Sequence, residues 1–138
     1  GGNIKGLNED FVILILEYKN GVISHCETNW LTPMKKRQLF ITTTTHFIEI
    51  DYIDQKIDMF QSSYENLNTS NLYKNKLLVD NKQISPIKEE PLRLELIDFL
   101  SSIQNDTNPK VTGLDGLKAI TVSIKALDSL KSGKKEEI

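Results

Sequence analysis

A chain of 138 residues has room for one domain and for a core that folds without covalent staples. Its formal charge is −2, so there is no global basic field to attract nucleic acid and no acidic tail. No apolar run approaches the ~20 residues that span a bilayer, and Gly1 to Gly6 lacks the apolar core of a signal peptide. No membrane association is therefore expected, and a cytoplasmic location is the default. The single cysteine, Cys26, rules out an internal disulfide and a cysteine-based metal cage, and it suits a reducing compartment.

In chain order, residues 1–9 are polar and glycine-containing and read as a loop. Phe11 to Tyr18 is a continuous β-branched and apolar run, short for a helix, which predicts a central strand covered on both faces. Asn20-Gly21 predicts a hairpin turn, because both residues tolerate positive φ, and Val22 to Trp30 is the return strand. Along that strand Val22, Ser24, Cys26, Thr28 and Trp30 share one face. A loop with Pro33 follows, then a strand over Arg37 to Thr42 leading into Thr42-Thr43-Thr44-Thr45. Phe47 to Tyr52 alternates, with Ile48, Ile50 and Tyr52 on one face and Glu49 and Asp51 on the other, which predicts a half-exposed strand. Asp54-Gln55 makes a turn and Lys56 to Gln61 another strand of a meander. Ser62 to Ser70 reads as a polar loop, Leu72 to Asp80 as a strand, and Asn81 to Glu90 as a connector.

Two amphipathic helices close the chain. The first opens at Pro91, where a first-turn proline loses no hydrogen bond, with Glu89 and Glu90 at the positive end of the dipole. Leu92, Leu96, Phe99, Leu100 and Ile103 form its apolar stripe, and Asn105 to Pro109 stops it. The second opens at Thr112 and runs to about Lys131, with Leu117, Ile120, Ile124, Leu127 and Leu130 on one face and Gly133 as a C-terminal stop. Strands followed by helices argue an α+β fold, a large mostly antiparallel open sheet covered on one face by helices. Residues 1–138 read as one domain, with 132–138 a frayed tail.

The catalytic inventory is thin. There is no glycine-rich phosphate loop, no HExxH, no CxxC and no nucleophile elbow. His25 and His46 lie in different strands with no metal-ligand spacing, and read as surface or satisfied histidines. Cys26 is most simply a small core residue. Glu49 and Asp51 share a face that alternation explains as solvated. Lys35-Lys36-Arg37 reads as a solvated loop. Trp30, the only tryptophan, stands just before that cluster. It is either a large core or sheet-interface residue, or a ligand or subunit contact with neighbouring cations for phosphate.

Four elements in order nevertheless carry a resemblance. They are Gly6-x-x-Glu9-Asp10-Phe11 leading to Asn20-Gly21; Asn29-Trp30-x-x-Pro33-x-Lys35-x-Arg37; the strand Phe47-Ile48-Glu49-Ile50-Asp51; and Glu90-Pro91-Leu92-x-x-Glu95-Leu96-x-x-Phe99-Leu100. The last is followed by Pro109-x-Val111-Thr112-Gly113-x-Asp115-Gly116-Leu117. Together these span nearly the whole chain and resemble the C-terminal domain of the Gfo/Idh/MocA oxidoreductases, the group of glucose-fructose oxidoreductase and inositol dehydrogenase.

The resemblance implies an open, mostly antiparallel sheet backed by helices, similar to the C-terminal domain of glyceraldehyde-3-phosphate dehydrogenase, whose far face is often a subunit interface. It implies a parent protein that binds NAD or NADP and transfers hydride at a carbon of a sugar, cyclitol or nucleotide sugar. Trp30, Lys35 and Arg37 become the candidates for contact with substrate or a neighbouring chain of a homodimer or tetramer. The family's nucleotide loop, its Glu-Lys-Pro lysine and its catalytic aspartate and histidine match nothing here. No catalytic, cofactor-binding or metal-binding residue is therefore assigned, and this chain is not catalytic alone. Thr42 to Thr45 also replaces a glycine-containing turn. The expectation is a piece of such an enzyme, or a relative reduced to its second domain; the alternative is a stand-alone non-enzymatic module for self-association or scaffolding.

Overall fold

The computed structural model describes residues 1–4, 6–65 and 76–138, with backbone alone for 62, 64, 65, 76 and 77. Six strands precede two helices: β1 (Phe11–Glu17), β2 (Ile23–Asn29), β3 (Gln38–Thr42), β4 (His46–Asp51), β5 (Lys56–Glu65), β6 (Lys76–Ile84), α1 (Pro91–Asn105) and α2 (Gly113–Ser132). The fold is α+β, with two antiparallel sheets, β1-β2 and β3-β4-β5-β6, where a single large sheet is expected from sequence. The chain forms two compact units, one of residues 1–34 and 91–138, the other of 35–90.

In the first unit β1 and β2 pair from Phe11↔Asn29 to Glu17↔Ile23. The hairpin differs from a two-residue Asn-Gly turn. Gly21 donates to the Tyr18 carbonyl at 2.9 Å, Tyr18 donates to Val22 at 2.9 Å, and only Gly21 takes positive φ, at 84°. That is a three-residue loop whose last residue is left-handed, and Gly21 fills it at no steric cost. The Asn20 side chain accepts instead from the Val22 N–H at 3.2 Å. β1 is not covered on both faces as its apolar run suggests: Ile13 and Ile15 are exposed opposite Glu27 and His25. Continuous hydrophobicity alone cannot specify how many neighbours a strand finds. Cys26 is likewise exposed rather than a core residue.

Both helices end as their sequences specify. Asp106 at φ 50° reverses the chain after α1, and the Thr107 N–H reaches back to the Ser102 carbonyl at 3.0 Å, a Schellman closure. The Thr112 hydroxyl accepts from the Asp115 N–H at 3.3 Å while Asp115 accepts from the Thr112 N–H at 3.0 Å, a complete capping box. Gly133, left-handed at φ 68°, donates to Ser129 at 2.9 Å. The segment expected to fray makes side-chain contacts: Lys125 pairs with Glu136 at 3.3 Å, Ser129 donates to the Lys134 carbonyl at 2.6 Å, and Lys135 pairs with Glu17. That cation holds the Glu17 carboxyl below its ordinary range.

In the second unit β3 to β6 form a meander. β5 runs on through Glu65, where a polar loop is expected, because Ser62 to Glu65 pair with Val79 to Lys76. β6 likewise extends through Ile84 against Ile57, so four residues of the expected connector are strand. Ladder partners override polar composition here. The rest of the expected loop and the start of its following strand, residues 66–75, lie outside the described residues. The β4–β5 connection is tied by Asp51, which accepts from Ile53 and Asp54 at 2.9 Å each. Gln55 closes it at φ 51° and clamps the backbone of Glu89, donating to its carbonyl at 2.8 Å and accepting from its N–H at 3.1 Å.

Among the described residues no hydrophobic side chain is buried. The helical stripes illustrate it: Leu96 and Phe99 in α1 are 53% and 57% exposed, so neither stripe is closed over as a sheet-covering layer requires.

Candidate functional site

Period-2 alternation and the pairing register divide the four-stranded sheet into two unlike faces. On one face Ile41↔Ile48 and Leu39↔Ile50↔Ile57↔Ile84 line up across the strands, with Ile48↔Met59 between them. The inner-strand members are half-buried by their neighbours, whereas Leu39, Ile41, Leu78 and Ile84 on the outer strands stay exposed. The residues of these ladders make a contiguous apolar patch, separated from Leu78 by Gln61, Asp80 and Lys82 on the same face, and exposed apolar patches of that kind mark places where something else packs.

The opposite face is aromatic at one end and charged at the other. Phe40 stacks on Phe47 with centroids 6.1 Å apart and planes 5° from parallel, and Phe47 meets Phe60 at 6.1 Å. Beside them a hollow of about 250 Å³ is lined by the threonine turn Thr42 to Thr45, His46, Phe47, Phe60 and Val79. The turn itself is hydroxyl-built: the Thr43 side chain accepts from the N–H groups of Thr45 at 3.2 Å and His46 at 2.9 Å, doing by side chain what a glycine turn does by backbone freedom. Thr45 Oγ1 lies 2.8 Å from His46 Nδ1.

A second hollow, of about 170 Å³, is lined by Gln38, Phe40, Glu49, Asp51, Asp54, Lys56 and Asp58 among others. Lys56, Asp58 and Asp51 among them are engaged. Lys56 pairs with Asp58 at 2.8 Å, and that hydrogen bond raises the lysine pKa above its ordinary value. The Asp54 backbone N–H above all, with Gln38 at 3.1 Å, keeps the Asp51 carboxyl below the usual range. A carboxylate held ionised in this way accepts hydrogen bonds but has no proton to deliver near neutrality. Among the described residues, no group of three or more His, Cys, Asp or Glu is placed to hold a metal ion, and no helix is long and apolar enough to cross a membrane.

Trp30, Lys35 and Arg37 do not come together within one unit. Trp30 belongs to the first, 87% exposed just beyond β2, its N–H donating to the Asp10 carbonyl at 2.9 Å. The preceding Asn29 sets that geometry, its side chain accepting from Leu31 at 3.1 Å and Thr32 at 2.9 Å. Lys35 and Arg37 belong to the second unit, both exposed, with the Arg37 carbonyl accepting from Tyr52 at 2.9 Å. His25 and His46 are also divided between the units.

The alternation over Phe47 to Tyr52 identifies one strand of the apolar surface. The surface as a whole needs the register of all four strands. The clamp by Gln55 has no sequence signal, because a glutamine in the left-handed region is the exception. Neither a family model, nor a curated protein, nor a solved structure matches this chain.

Proposed function

We propose that this chain is an assembly domain whose four-stranded sheet packs against a second copy of itself. In the fuller reading it is the substrate-side and oligomerisation domain of an NAD- or NADP-dependent oxidoreductase acting on a sugar or nucleotide sugar. One observation carries the assembly reading: the apolar face of β3 to β6 has its own ladder but, among the described residues, no buried hydrophobic residue on it. A fully exposed apolar side chain forgoes roughly 1.5–3 kcal/mol of burial and the half-buried members of the face forgo less, so covering this face is favourable.

The oxidoreductase part rests on the four ordered motifs and is supported by the α+β order of strands before helices. In that reading the nicotinamide cofactor and the acid–base groups belong to another domain. This chain contributes the sheet and, through Trp30, Lys35 and Arg37, contacts to substrate or a neighbouring subunit. A cytoplasmic location fits the exposed thiol of Cys26. The test is the native gene product, detected in an extract of the source cells with an antibody against this chain. A product larger by a nucleotide-binding domain, on the order of 100–150 residues, supports the oxidoreductase. A product the size of this chain leaves the non-enzymatic self-association module.

A further inference from the structure

We infer that self-association also runs through the free edge of β6, two copies pairing antiparallel across a twofold axis through Asn81 to make one eight-stranded sheet. The inference rests on the assembly reading and names a second, distinct surface for it. β6 is nine residues long and pairs with β5 on one side; among the described residues no strand pairs with its other side. Residues 78–84 are exposed throughout. A long exposed edge presents a row of unpaired N–H and C=O groups to any strand that can match it.

The charges say which strand matches. Asp80 and Lys82 lie on the same face as Leu78 and Ile84, and on β5 they stand opposite Gln61 and Met59, neither of them charged. Among the described residues their own sheet therefore gives these charges no cross-strand partner. With the axis at Asn81, Asp80 of each copy stands opposite Lys82 of the other, and Leu78 opposite Ile84. Two opposite-charge pairs are thus flanked by two apolar pairs. A twofold perpendicular to the sheet keeps like faces together, so allowed registers slide the axis one residue at a time. Centring it on Asp80 sets carboxylate against carboxylate, and centring it on Lys82 sets ammonium against ammonium. Both neighbouring registers are repulsive, so the pattern selects the one at Asn81. The other edge, β3, carries Gln38, Leu39, Phe40, Ile41 and Thr42 and has no charge with which to select a register. The occupant of the β6 edge is a second copy of this chain.

The test exchanges charges in the full chain. Asp80→Lys sets cations against cations and Lys82→Asp sets carboxylates against carboxylates, so each variant alone should pair through this edge at least about tenfold more weakly than wild type, losing the association step beyond the face dimer. Mixed one to one, the two variants are complementary again, and native mass spectrometry should show the mixed dimer in preference to either homodimer. Both residues are exposed, and far-UV circular dichroism confirms folding. A second measurement avoids charge altogether. Asn81→Cys in a Cys26→Ser background puts two thiols across the axis, where antiparallel partners have Cα atoms about 4.5–5.5 Å apart, within disulfide reach. Mild oxidation should then give a covalent dimer. Wild-type dimers that ignore both charge changes and form no Asn81→Cys disulfide overturn the edge register and leave face assembly standing. A wild-type chain that stays monomeric at every concentration overturns both.

Discussion

Gln55 is a glutamine in a conformation that favours glycine, and the structure indicates what holds it there. At φ 51° its backbone is strained by roughly 1–2 kcal/mol relative to a glycine. Its side-chain amide meets both polar groups of the Glu89 backbone, at 2.8 and 3.1 Å, joining the β4–β5 turn to the segment leading out of β6. Two exposed hydrogen bonds at about 0.5–1.5 kcal/mol each offset that strain. Gln55→Ala loses both bonds and keeps the strain, so it should destabilise by about 1–3 kcal/mol. Gln55→Gly loses the same bonds but relieves the strain, less roughly 0.4–1 kcal/mol for the freer unfolded chain. Glycine should therefore be the milder substitution by up to about 1.6 kcal/mol, the reverse of the usual order in regular structure. Urea denaturation of the two variants and wild type, followed by circular dichroism, reads the ranking directly. Alanine equal to or better than glycine would refute the strain-for-clamp reasoning. Unchanged stability in both would refute the clamp itself.

Other outcomes follow from the helices and the loop. Thr112→Ala should cost about 1 kcal/mol through loss of the capping box, read by thermal unfolding. The Asp115 carboxyl is held below its ordinary pKa, chiefly by the Thr112 side chain, so this contribution is full above the unfolded-state pKa and is lost as pH falls through the folded one. The gap between wild type and variant should thus narrow in acid, and a gap constant to the lowest pH at which the chain stays folded would count against the pairing. Phe99→Ala should cost about 1–2 kcal/mol in the isolated chain, below the ~3–5 expected of a fully buried phenylalanine, because the ring is 57% exposed; a loss in the full range would mean that the stripe is covered in solution. Trp30→Ala should change stability by no more than about 0.5 kcal/mol but weaken self-association by about 2 kcal/mol if the ring anchors a subunit contact. An oligomeric state that does not change would remove Trp30 from the interface.

Local chemistry was readable and long-range partnership was not. Thr112 and Gly133 declare a helix start and stop through residue types that do one job at one place, and the structure uses both for it. The strand from Phe47 to Asp51 follows from alternation, and so do the faces of Glu49 and Ile50. What failed depended on partners distant in sequence. Ser62 to Glu65 became strand because Lys76 to Val79 lie alongside, which no local property of two serines announces. The apolar run of β1 matched a strand buried on both faces, yet Ile13 and Ile15 face water, since hydrophobicity records what a strand could bury and not what it meets. The candidate surface shows the same division. Each apolar residue on β3 to β6 was visible singly, but their assembly into one uncovered face needs the register. Trp30 stood out as a lone tryptophan beside cations, and sequence proximity to Lys35 and Arg37 did not place the three in one unit.

The most direct test of sheet-face assembly is sedimentation equilibrium of the full chain over a wide concentration range, alongside Ile50→Lys on the apolar face. A wild-type chain that is dimeric or larger, with the variant folded and shifted to a smaller assembly, is the expected result, because a lysine at Ile50 places a charge where a second sheet would have to pack. A folded wild-type monomer at all concentrations, or a variant that assembles as well as wild type, would contradict it.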